Sequence, residues 1–218
     1  MQMIIIWFIG GLTAYLLGSI PFGFLIARAR GKDIRTLGSG NIGATNVFRS
    51  IGKKEGVLTF VLDVGKGLAG VLLVPSLAAA LTSISFEGMS FPLFCGAMTI
   101  VGHNWSCYLG FKGGKGIATS AGLLIGLAPA SVGIAFLVWV LIFLLTRYVS
   151  VASIVACLTL AVVVWFLYPE GEGLWFPVVL NLLAMLGIWK HRGNLARLRA
   201  GTESRFEFGR GTKKRGTN

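Results

Sequence analysis

Long apolar segments constrain the fold of this sequence more than any other feature. The first, residues 4–27, contains no charged residue. A helix rises about 1.5 Å per residue and about 20 residues cross a hydrocarbon core, so this segment is long enough to span a bilayer. Five more apolar segments follow at residues 57–81, 91–109, 117–146, 151–168 and 174–189. With 55% hydrophobic and only 13% charged residues, the sequence predicts an all-α integral membrane protein.

The fourth apolar segment, residues 117–146, decides the predicted topology. As one helix it would be about 45 Å long, more than one crossing needs but too short for two full ones. Pro129 lies near its middle, and a reversal at residues 127–129 would place every Lys and Arg on one side of the membrane, leaving Glu87, Glu170 and Glu172 on the other. We therefore expect seven transmembrane helical segments, two of them short, with the N-terminus outside and the C-terminus in the cytoplasm.

The net charge of +12 raises the question of nucleic-acid binding. Basic residues spread over the loops of a membrane protein have a simpler cause, since they set topology and contact anionic lipid or substrate. We therefore expect no nucleic-acid partner. Residues 1–203 are predicted to form a single helical domain, and the basic tail, residues 204–218, is predicted to be disordered and cytoplasmic.

The first polar loop, residues 38–49, reads GSGNIGATNVFR. Its glycines permit tight bends that expose backbone N–H groups, which suits an anion. The loop also contains the pattern G-x-G-x-x-G at Gly38, Gly40 and Gly43, which in a dinucleotide-binding domain follows a buried strand. Because the pattern here follows a segment of membrane length, we interpret it as a polar loop at the membrane surface.

The second polar stretch, residues 102–119, reads GHNWSCYLGFKGGKGIAT. It is not a nucleotide P-loop, because the spacing is wrong and Gly116 stands where Ser or Thr would hold magnesium. Lys112 and Lys115 instead lie on a glycine-rich backbone at the start of a predicted helix, which favours phosphate. The alternative is that these lysines only anchor the loop to lipid headgroups.

The third polar stretch, residues 190–203, reads KHRGNLARLRAGTE. Positive charge after a membrane helix is common, so Arg197 and Arg199 could act only to set the orientation of the chain in the membrane. His191 and Asn194 add hydrogen-bonding specificity that topology does not require. The spacing of residues 197 and 198 suits an amphipathic surface helix.

Asp63 and Lys66 lie within the second apolar segment, three residues apart on one helix face. Charges at that depth usually face the interior of a helix bundle. They form either a mutually neutralising pair that orients helices or a direct contact to substrate.

Several chemistries are excluded by spacing. The H-x4-D pattern of a major group of glycerolipid acyltransferases is absent, since Tyr108 and Ala196 stand five residues after His103 and His191. With two histidines and no carboxylate clustered beside them, a protein-bound catalytic metal is not expected. No G-x-S-x-G nucleophile elbow is present.

Taken together, the three loops resemble the bacterial membrane acyltransferase family, commonly called PlsY, that uses acyl-phosphate to acylate glycerol 3-phosphate. The likeness covers the chain to about residue 203, with one departure at Ser106, where the family usually has proline. The resemblance implies a multi-pass enzyme of the bacterial cytoplasmic (inner) membrane, with its site on the cytoplasmic face and no metal or other cofactor. We expect it to be a monomer. The implied reaction transfers a fatty acyl group to the 1-hydroxyl of glycerol 3-phosphate, giving lysophosphatidic acid and phosphate in phospholipid biosynthesis.

The resemblance also implies roles for individual residues. The acyl-phosphate headgroup and the oxyanion formed at its carbonyl would be held by Ser39, Asn41, Thr45 and Asn46 with the N–H groups of Gly38, Gly40 and Gly43. Glycerol 3-phosphate would be held by Arg49, Lys115, His191 and Asn194, with Ser150 or Ser153 as a further contact. His103, Lys112, Gly113, Gly114 and Arg192 complete the predicted binding set. Ser39, Lys115 and His191 are the candidate catalytic residues.

Two questions stay open at the level of sequence. No Asp or Glu in the loops is an evident base, so the hydroxyl proton passes either to a phosphate oxygen of the substrate or to His191. A small-anion transporter would also place charges and glycines in a helical bundle, but it predicts repeated halves and broken helices at mid-membrane.

Overall fold

The computed structural model describes residues 1–168 and 173–207, and within those ranges it is helical without a β-strand. The expectation of an all-α fold is thus confirmed for the described residues. Glu170, Glu172 and the part of the predicted tail after residue 207 lie outside them. The helices are α1 (Gln2–Ser19), α2 (Phe22–Ala29), α3 (Ala44–Ser50), α4 (Lys53–Thr82), α5 (Ser90–Asn104), α6 (Ile117–Leu127), α7 (Pro129–Thr146), α8 (Val149–Leu167), α9 (Trp175–Lys190) and α10 (Arg192–Arg199).

Four helical stretches are long and apolar enough to cross a membrane: Gln2–Ala29, Lys53–Thr82, Pro129–Thr146 and Val149–Leu167. Two shorter apolar helices, Ile117–Leu127 and Trp175–Lys190, accompany them. Helix α1 packs against α5, α4 packs against α5 and α6, and α8 packs between α7 and α9. One apolar core joins α4 to α9, with Val71, Leu123, Leu160 and Phe176 among its buried members.

The sequence suggested one continuous helix over residues 4–27, but the structure contains two. The segment divides at Ile20 and Pro21 into α1 and α2, because a proline has no N–H to continue the helical hydrogen bonds. The carbonyl of Ile20 instead accepts a hydrogen bond from Lys66 Nζ at 2.8 Å. Lys66 also pairs with Asp63 at 2.9 Å, and both side chains are almost fully buried. Asp63 and Lys66 are therefore paired, as the first of the two alternatives requires, and Lys66 joins α4 to the break between α1 and α2.

The predicted break in residues 117–146 occurs at Ala128, between α6 and α7. Ala128 leaves helical geometry with φ −145° and ψ 57°, and Pro129 opens α7. Proline is well suited to the first turn of a helix, where its missing N–H leaves no hydrogen bond unmade. The single apolar segment therefore forms two helices.

These two helices run in opposite directions, as the contacts at their outer ends demonstrate. Lys115, directly before α6, bonds to Asn194 of α10 at 2.5 Å. Ser150, in the first turn of α8 after α7, bonds to Glu203 at 2.8 Å, and Glu203 in turn accepts a bond from Asn194 at 2.7 Å. Because the start of α6 and the end of α7 meet the same cluster, the chain reverses between them.

Ser106, the departure from the family pattern, preserves the bend that a proline would make. Its φ of −66° and ψ of 122° are values that proline also adopts. Its hydroxyl donates a hydrogen bond to the Ser19 carbonyl at 2.6 Å, at the end of α1. The serine therefore keeps the local geometry and adds a tie between the second polar stretch and α1.

Candidate active site

The loop of residues 38–49 is folded around the side chain of Asn46. Its Nδ2 donates to the carbonyls of Leu37 at 3.0 Å and Asn41 at 2.8 Å, and its Oδ1 accepts from the Ser39 N–H at 3.1 Å. Gly40 has a φ of +69°, a conformation that favours glycine. Asn46 is buried and its amide is engaged within the loop, so its position suits support of the loop more than direct contact with substrate.

The other polar side chains of this loop are less engaged. Asn41 Oδ1 accepts a hydrogen bond from the Gly43 N–H at 2.8 Å. Ser39 is exposed, and like Thr45 it borders the large cavity described below. Arg49 borders the same cavity and donates to the Ser204 carbonyl at 3.0 Å. The loop therefore presents two hydroxyls and a guanidinium to one space.

The glycine-rich stretch before α6 packs directly on His103 at the end of α5. The Gly114 N–H donates to the His103 carbonyl at 3.0 Å, and a Cβ at Gly114 would collide with the His103 imidazole. His103 Nδ1 lies 3.5 Å from Asp63 Oδ1. The buried Asp63, His103 and the backbone of Gly114 thus form a continuous support for Lys115.

The two lysines of this stretch have different surroundings. Lys115 borders the cavity, and burial lowers the pKa of its ammonium group to about 8, with the Glu203 carboxylate acting in the opposite direction. Lys112 is exposed and borders neither of the two spaces described here. The structure therefore does not bring Lys112 together with the other predicted binding residues, because its side chain lies outside the space that Lys115 enters.

Glu203 is a residue of the site that sequence reasoning missed. Its carboxylate accepts hydrogen bonds from Ser150 Oγ at 2.8 Å, Asn194 Nδ2 at 2.7 Å and Arg197 Nε at 2.8 Å. Burial alone would raise the pKa of this carboxyl, but these hydrogen bonds outweigh it and lower the pKa. The ionised carboxylate of Glu203, with its three donors, joins α8 to α10. In the sequence, the only indication of this role was the position of Glu203 at the end of the third polar stretch.

His191 is held in one tautomer. Its Nδ1 lies 2.8 Å from the Gly187 carbonyl, and because a carbonyl only accepts, Nδ1 carries the proton and Nε2 does not. Burial and the neighbouring Lys115 lower the pKa of the imidazole to about 4. Near neutral pH His191 is therefore uncharged, with Nε2 as a hydrogen-bond acceptor.

A polar cleft of about 290 Å³ opens between the first loop and α10. Its cationic side chains are Lys115, Lys190, Arg192 and Arg197, and no carboxylate is among the described residues that border it. Lys190 donates to the Asn104 carbonyl at 2.9 Å. A space with this charge suits a small anion such as a phosphate ester.

A larger cavity of about 580 Å³ extends from the same place between α4, α6, α7, α8 and α9. Most of the side chains on its wall are apolar, as at Ile100, Leu124 and Leu160. The cleft and the cavity share the residues Ser39, Asn41, Lys115, Asn194 and Arg197. The shared residues mark a junction where a cationic compartment meets an apolar one.

The predicted site residues divide into three groups by position. Those that border the large cavity are Ser39, Asn41, Gly43, Thr45, Asn46, Arg49, His103, Lys115, Ser153, His191 and Asn194. Gly113, Gly114 and Arg192 border the polar cleft, and Gly38, Gly40 and Lys112 border neither. Ser153 Oγ accepts a hydrogen bond from Trp139 Nε1 at 3.2 Å. Among the described residues no three His, Cys, Asp or Glu side chains lie close enough to hold a metal ion.

Comparison with known proteins identifies the family. A model of the glycerol-3-phosphate acyltransferase family matches residues 7–201. The glycerol-3-phosphate acyltransferase of Aquifex aeolicus is 46% identical over 198 residues, covering 88% of this chain and 95% of the relative. That of Geobacter metallireducens is 47% identical over 194 residues, covering 89% and 94%. The chain therefore belongs to the glycerol-3-phosphate acyltransferase family, as the three loops had suggested.

Solved structures agree with this assignment. The crystal structure of PlsY, an integral membrane glycerol 3-phosphate acyltransferase, in its glycerol 3-phosphate form is 40% identical with a TM-score of 0.78, covering 92% of this chain and 96% of that chain. Its lysophosphatidic acid form is also 40% identical, with a TM-score of 0.76 and coverage of 92% and 95%. Together with the apolar helices, this likeness identifies the chain as an integral membrane protein.

Proposed function

We propose that this enzyme transfers a fatty acyl group from an acyl-phosphate to the 1-hydroxyl of glycerol 3-phosphate, forming lysophosphatidic acid and phosphate in phospholipid biosynthesis. Its family membership supports acyl transfer to glycerol 3-phosphate. The observation that carries the proposal is the junction of a cationic cleft with an apolar cavity. Such a junction suits a reaction that joins a phosphate ester to a fatty acyl chain.

Glycerol 3-phosphate occupies the polar cleft in this proposal. A phosphate monoester carries a charge of about −1.5 to −2 at neutral pH, and the ammonium and guanidinium groups of Lys115, Arg192 and Arg197 provide matching positive charge. Asn194 borders both the cleft and the large cavity, and His191 borders the large cavity. From there Asn194 and the unprotonated Nε2 of His191 can orient the glycerol hydroxyls.

The acyl-phosphate occupies the junction and the large cavity. Its phosphate contacts the first loop through Ser39 and Thr45, and its alkyl chain lies along the apolar walls of α4 and α6 to α9. The loop N–H groups and Lys115 stabilise the negative charge that develops on the carbonyl oxygen as the hydroxyl adds. Asn46 and Glu203 act as positioning residues, because their polar atoms are already bonded to protein groups.

The reaction forms an ester bond between the 1-hydroxyl oxygen and the acyl carbon and breaks the bond between that carbon and the phosphate oxygen. The phosphate leaves with the bonding electron pair, and the hydroxyl proton passes to a phosphate oxygen of the substrate. His191 is the less suitable base, because burial and Lys115 lower its pKa to about 4, far from the operating pH that general base catalysis favours. We propose that it orients the hydroxyl instead.

The proposed placement in the membrane has seven helical segments, with α6 as one of two short ones, the N-terminus outside and the C-terminus in the cytoplasm. The reversal between α6 and α7 and the positive charges around the site support it. Residues 1–203 form one domain. Ser204 and Phe206, at the start of the predicted tail, contact that domain, so the proposed cytoplasmic tail begins after them. The enzyme acts as a monomer in the bacterial inner membrane, with its site on the cytoplasmic face.

The test is release of inorganic phosphate by the purified protein in detergent or bilayers. Phosphate should appear from acyl-phosphate when glycerol 3-phosphate is supplied and not otherwise, with lysophosphatidic acid formed in equal amount. Lys115→Met should nearly abolish this release, whereas the matched variant Lys112→Met should retain it, since Lys112 borders neither space. Failure of the unmodified protein would overturn the proposed reaction, and equal losses in the two variants would overturn the proposed site.

A further inference from the structure

We propose that Leu160 of α8 and Leu180 of α9 form a floor in the large cavity that limits the length of the acyl chain the enzyme accepts. The inference rests on the proposed function, in which that cavity holds the alkyl chain of the donor. Both leucines border the cavity, and their side chains are 7% and 1% exposed. They therefore lie inside the bundle, where a chain entering from the junction would meet them.

The position of the floor follows from the helices that border the cavity. Leu160 lies ten residues beyond Ser150 along α8, and Leu180 lies eleven residues before His191 along α9. At about 1.5 Å per residue, both leucines are roughly 15 Å below the junction. Two separate helices thus place the leucines at the same depth, where they close the α8 and α9 side of the cavity, while on the α7 side the lining continues to Val132.

Below the leucines, the α8 and α9 side of the bundle is filled. Val164 lies one helical turn beyond Leu160, and Phe176 lies one turn before Leu180. Both are fully buried, and Phe176 also packs against Tyr168 with ring centroids 5.5 Å apart. Neither borders the cavity, so the alkyl chain meets a packed core at this level.

Above the leucines the cavity is kept open by small side chains. Ala156 of α8 and Ala184 of α9 both border it, and Ala184 is buried. Ala184 stands one helical turn closer to the junction than Leu180. A larger side chain at Ala184 would therefore bring the end of the cavity nearer to the reacting carbonyl.

The depth sets an approximate chain length. With C–C bonds of about 1.5 Å, a straight alkyl chain advances roughly 1.3 Å per carbon, so a depth of about 15 Å takes roughly twelve carbons. Chains that bend within the cavity of about 580 Å³ can place a few more. Beyond that limit each added methylene must displace packed side chains or leave the cavity toward the lipid.

The experiment measures kcat/KM for a homologous series of saturated acyl phosphates, from short to long, at saturating glycerol 3-phosphate. Ala184→Leu should shift the preferred donor to shorter chains, with the ratio of long-donor to short-donor kcat/KM falling by about 10-fold or more. The double variant Leu160→Ala and Leu180→Ala should shift the preference to longer chains, because it lowers the floor. The matched controls are Ala80→Leu on α4 and Leu182→Ala on α9, both exposed and outside the cavity, and both should keep the original profile.

The outcomes separate this inference from the proposed function. If the unmodified protein transfers no acyl group from any donor, the proposed function is wrong. If it transfers acyl groups but both sets of cavity variants keep the original chain-length profile, the floor does not limit the chain and this inference is overturned. Retained turnover of short donors by Ala184→Leu confirms that this variant is folded, and the double variant tests the floor independently of any overpacking at residue 184.

Discussion

The ammonium group of Lys115 lies where the cationic cleft meets the apolar cavity. Burial is the main reason why its pKa falls to about 8, since removing a charged group from water favours its neutral form. A lysine with that pKa is mostly charged at neutral pH, yet it loses its proton in mildly alkaline solution. In the proposed function, recognition of phosphate should therefore depend on the ionisation of Lys115.

This residue yields a prediction about the pH dependence of kcat/KM for glycerol 3-phosphate. As pH rises through about 8, deprotonation of Lys115 removes a positive charge and kcat/KM should fall, since this parameter reports ionisations of the free enzyme. In Lys115→Arg the guanidinium stays charged, so the fall should move to higher pH even if the rate is lower overall. An alkaline limb at the same pH in both proteins would contradict the assignment.

His191 provides the second prediction at this scale. Loss of one neutral hydrogen bond is worth about 1 kcal/mol, so His191→Ala should raise the KM for glycerol 3-phosphate several-fold while kcat at saturating substrate stays close to the original value. Because the pKa of His191 is lowered to about 4, the pH profile of kcat/KM should contain no limb near pH 6.5 that the variant removes. A large loss of kcat at saturation would instead make His191 the base.

At the scale of elements, the glycine-rich stretch before α6 is positioned by what lies beneath it. Gly114 approaches the His103 ring too closely for any side chain, and His103 itself stands beside the ion pair of Asp63 and Lys66. The buried charges of α4 are thus linked to the site by the packing of Gly114 against His103. Asp63 and Lys66 were interpreted either as a pair that orients helices or as a contact to substrate. The arrangement is compatible with both, since the two side chains are paired and Asp63 also borders the cavity.

The prediction for this element is that Gly114→Ala impairs catalysis by displacing Lys115. A misplacement of about 1 Å at a catalytic group can reduce the rate about 100-fold, and the added Cβ cannot be accommodated without movement of the loop or the imidazole. The matched control is Gly133→Ala on α7, where a Cβ would meet open space and alanine favours the helix. Equal activity of the two variants in the phosphate-release assay would remove the steric argument.

The segment after α10 is a second element that shapes the site. Phe206 packs between Phe48 of α3, at 5.6 Å, and Phe143 of α7, at 5.4 Å. Its N–H donates to the Arg147 carbonyl at 2.8 Å, and Glu203 binds α8 and α10. Residues 203–206 therefore tie together helices that are far apart in sequence, on the side of the cavity where the polar groups lie.

At the scale of the whole molecule, the polar groups lie together because each contributing helix ends or begins at the same level. The end of α5, the start of α6, the start of α8 and the end of α9 are joined by hydrogen bonds through Asn104, Lys115, Ser150 and Lys190. The reversal at Ala128 is essential to this arrangement. Without it, α7 would carry its last residues away from the site.

The topological prediction is that Glu87 and Lys112 face opposite sides of the membrane. Glu87 lies on the connection between α4 and α5, Lys112 lies before α6, and both are exposed. After replacement of the native cysteines Cys95, Cys107 and Cys157, Glu87→Cys should react with an impermeant maleimide from outside the cell, and Lys112→Cys only in inside-out vesicles. Labelling of both from the same side would contradict the seven-segment topology.

The sequence by itself determined the class of protein, the three polar loops and the break near Pro129. Each of these depends on a property that can be read along the chain: apolar length, charge distribution or a residue with restricted backbone geometry. The same properties indicated that residues 38–49, 102–119 and 190–203 would act together. The break at Pro21 was missed because a single proline does not reveal whether a membrane helix bends or divides.

Only the tertiary structure decided which side chains of those loops reach the site. Lys112 and Lys115 look equivalent in sequence, yet one is exposed and the other is held beside Asn194. Glu203 accepts a hydrogen bond from Ser150, 53 positions earlier in the chain, and such a contact cannot be read from the sequence. The physical reason is that burial and hydrogen bonding depend on the direction of each side chain and on distant partners, whereas sequence periodicity reports only on neighbours within the same helix.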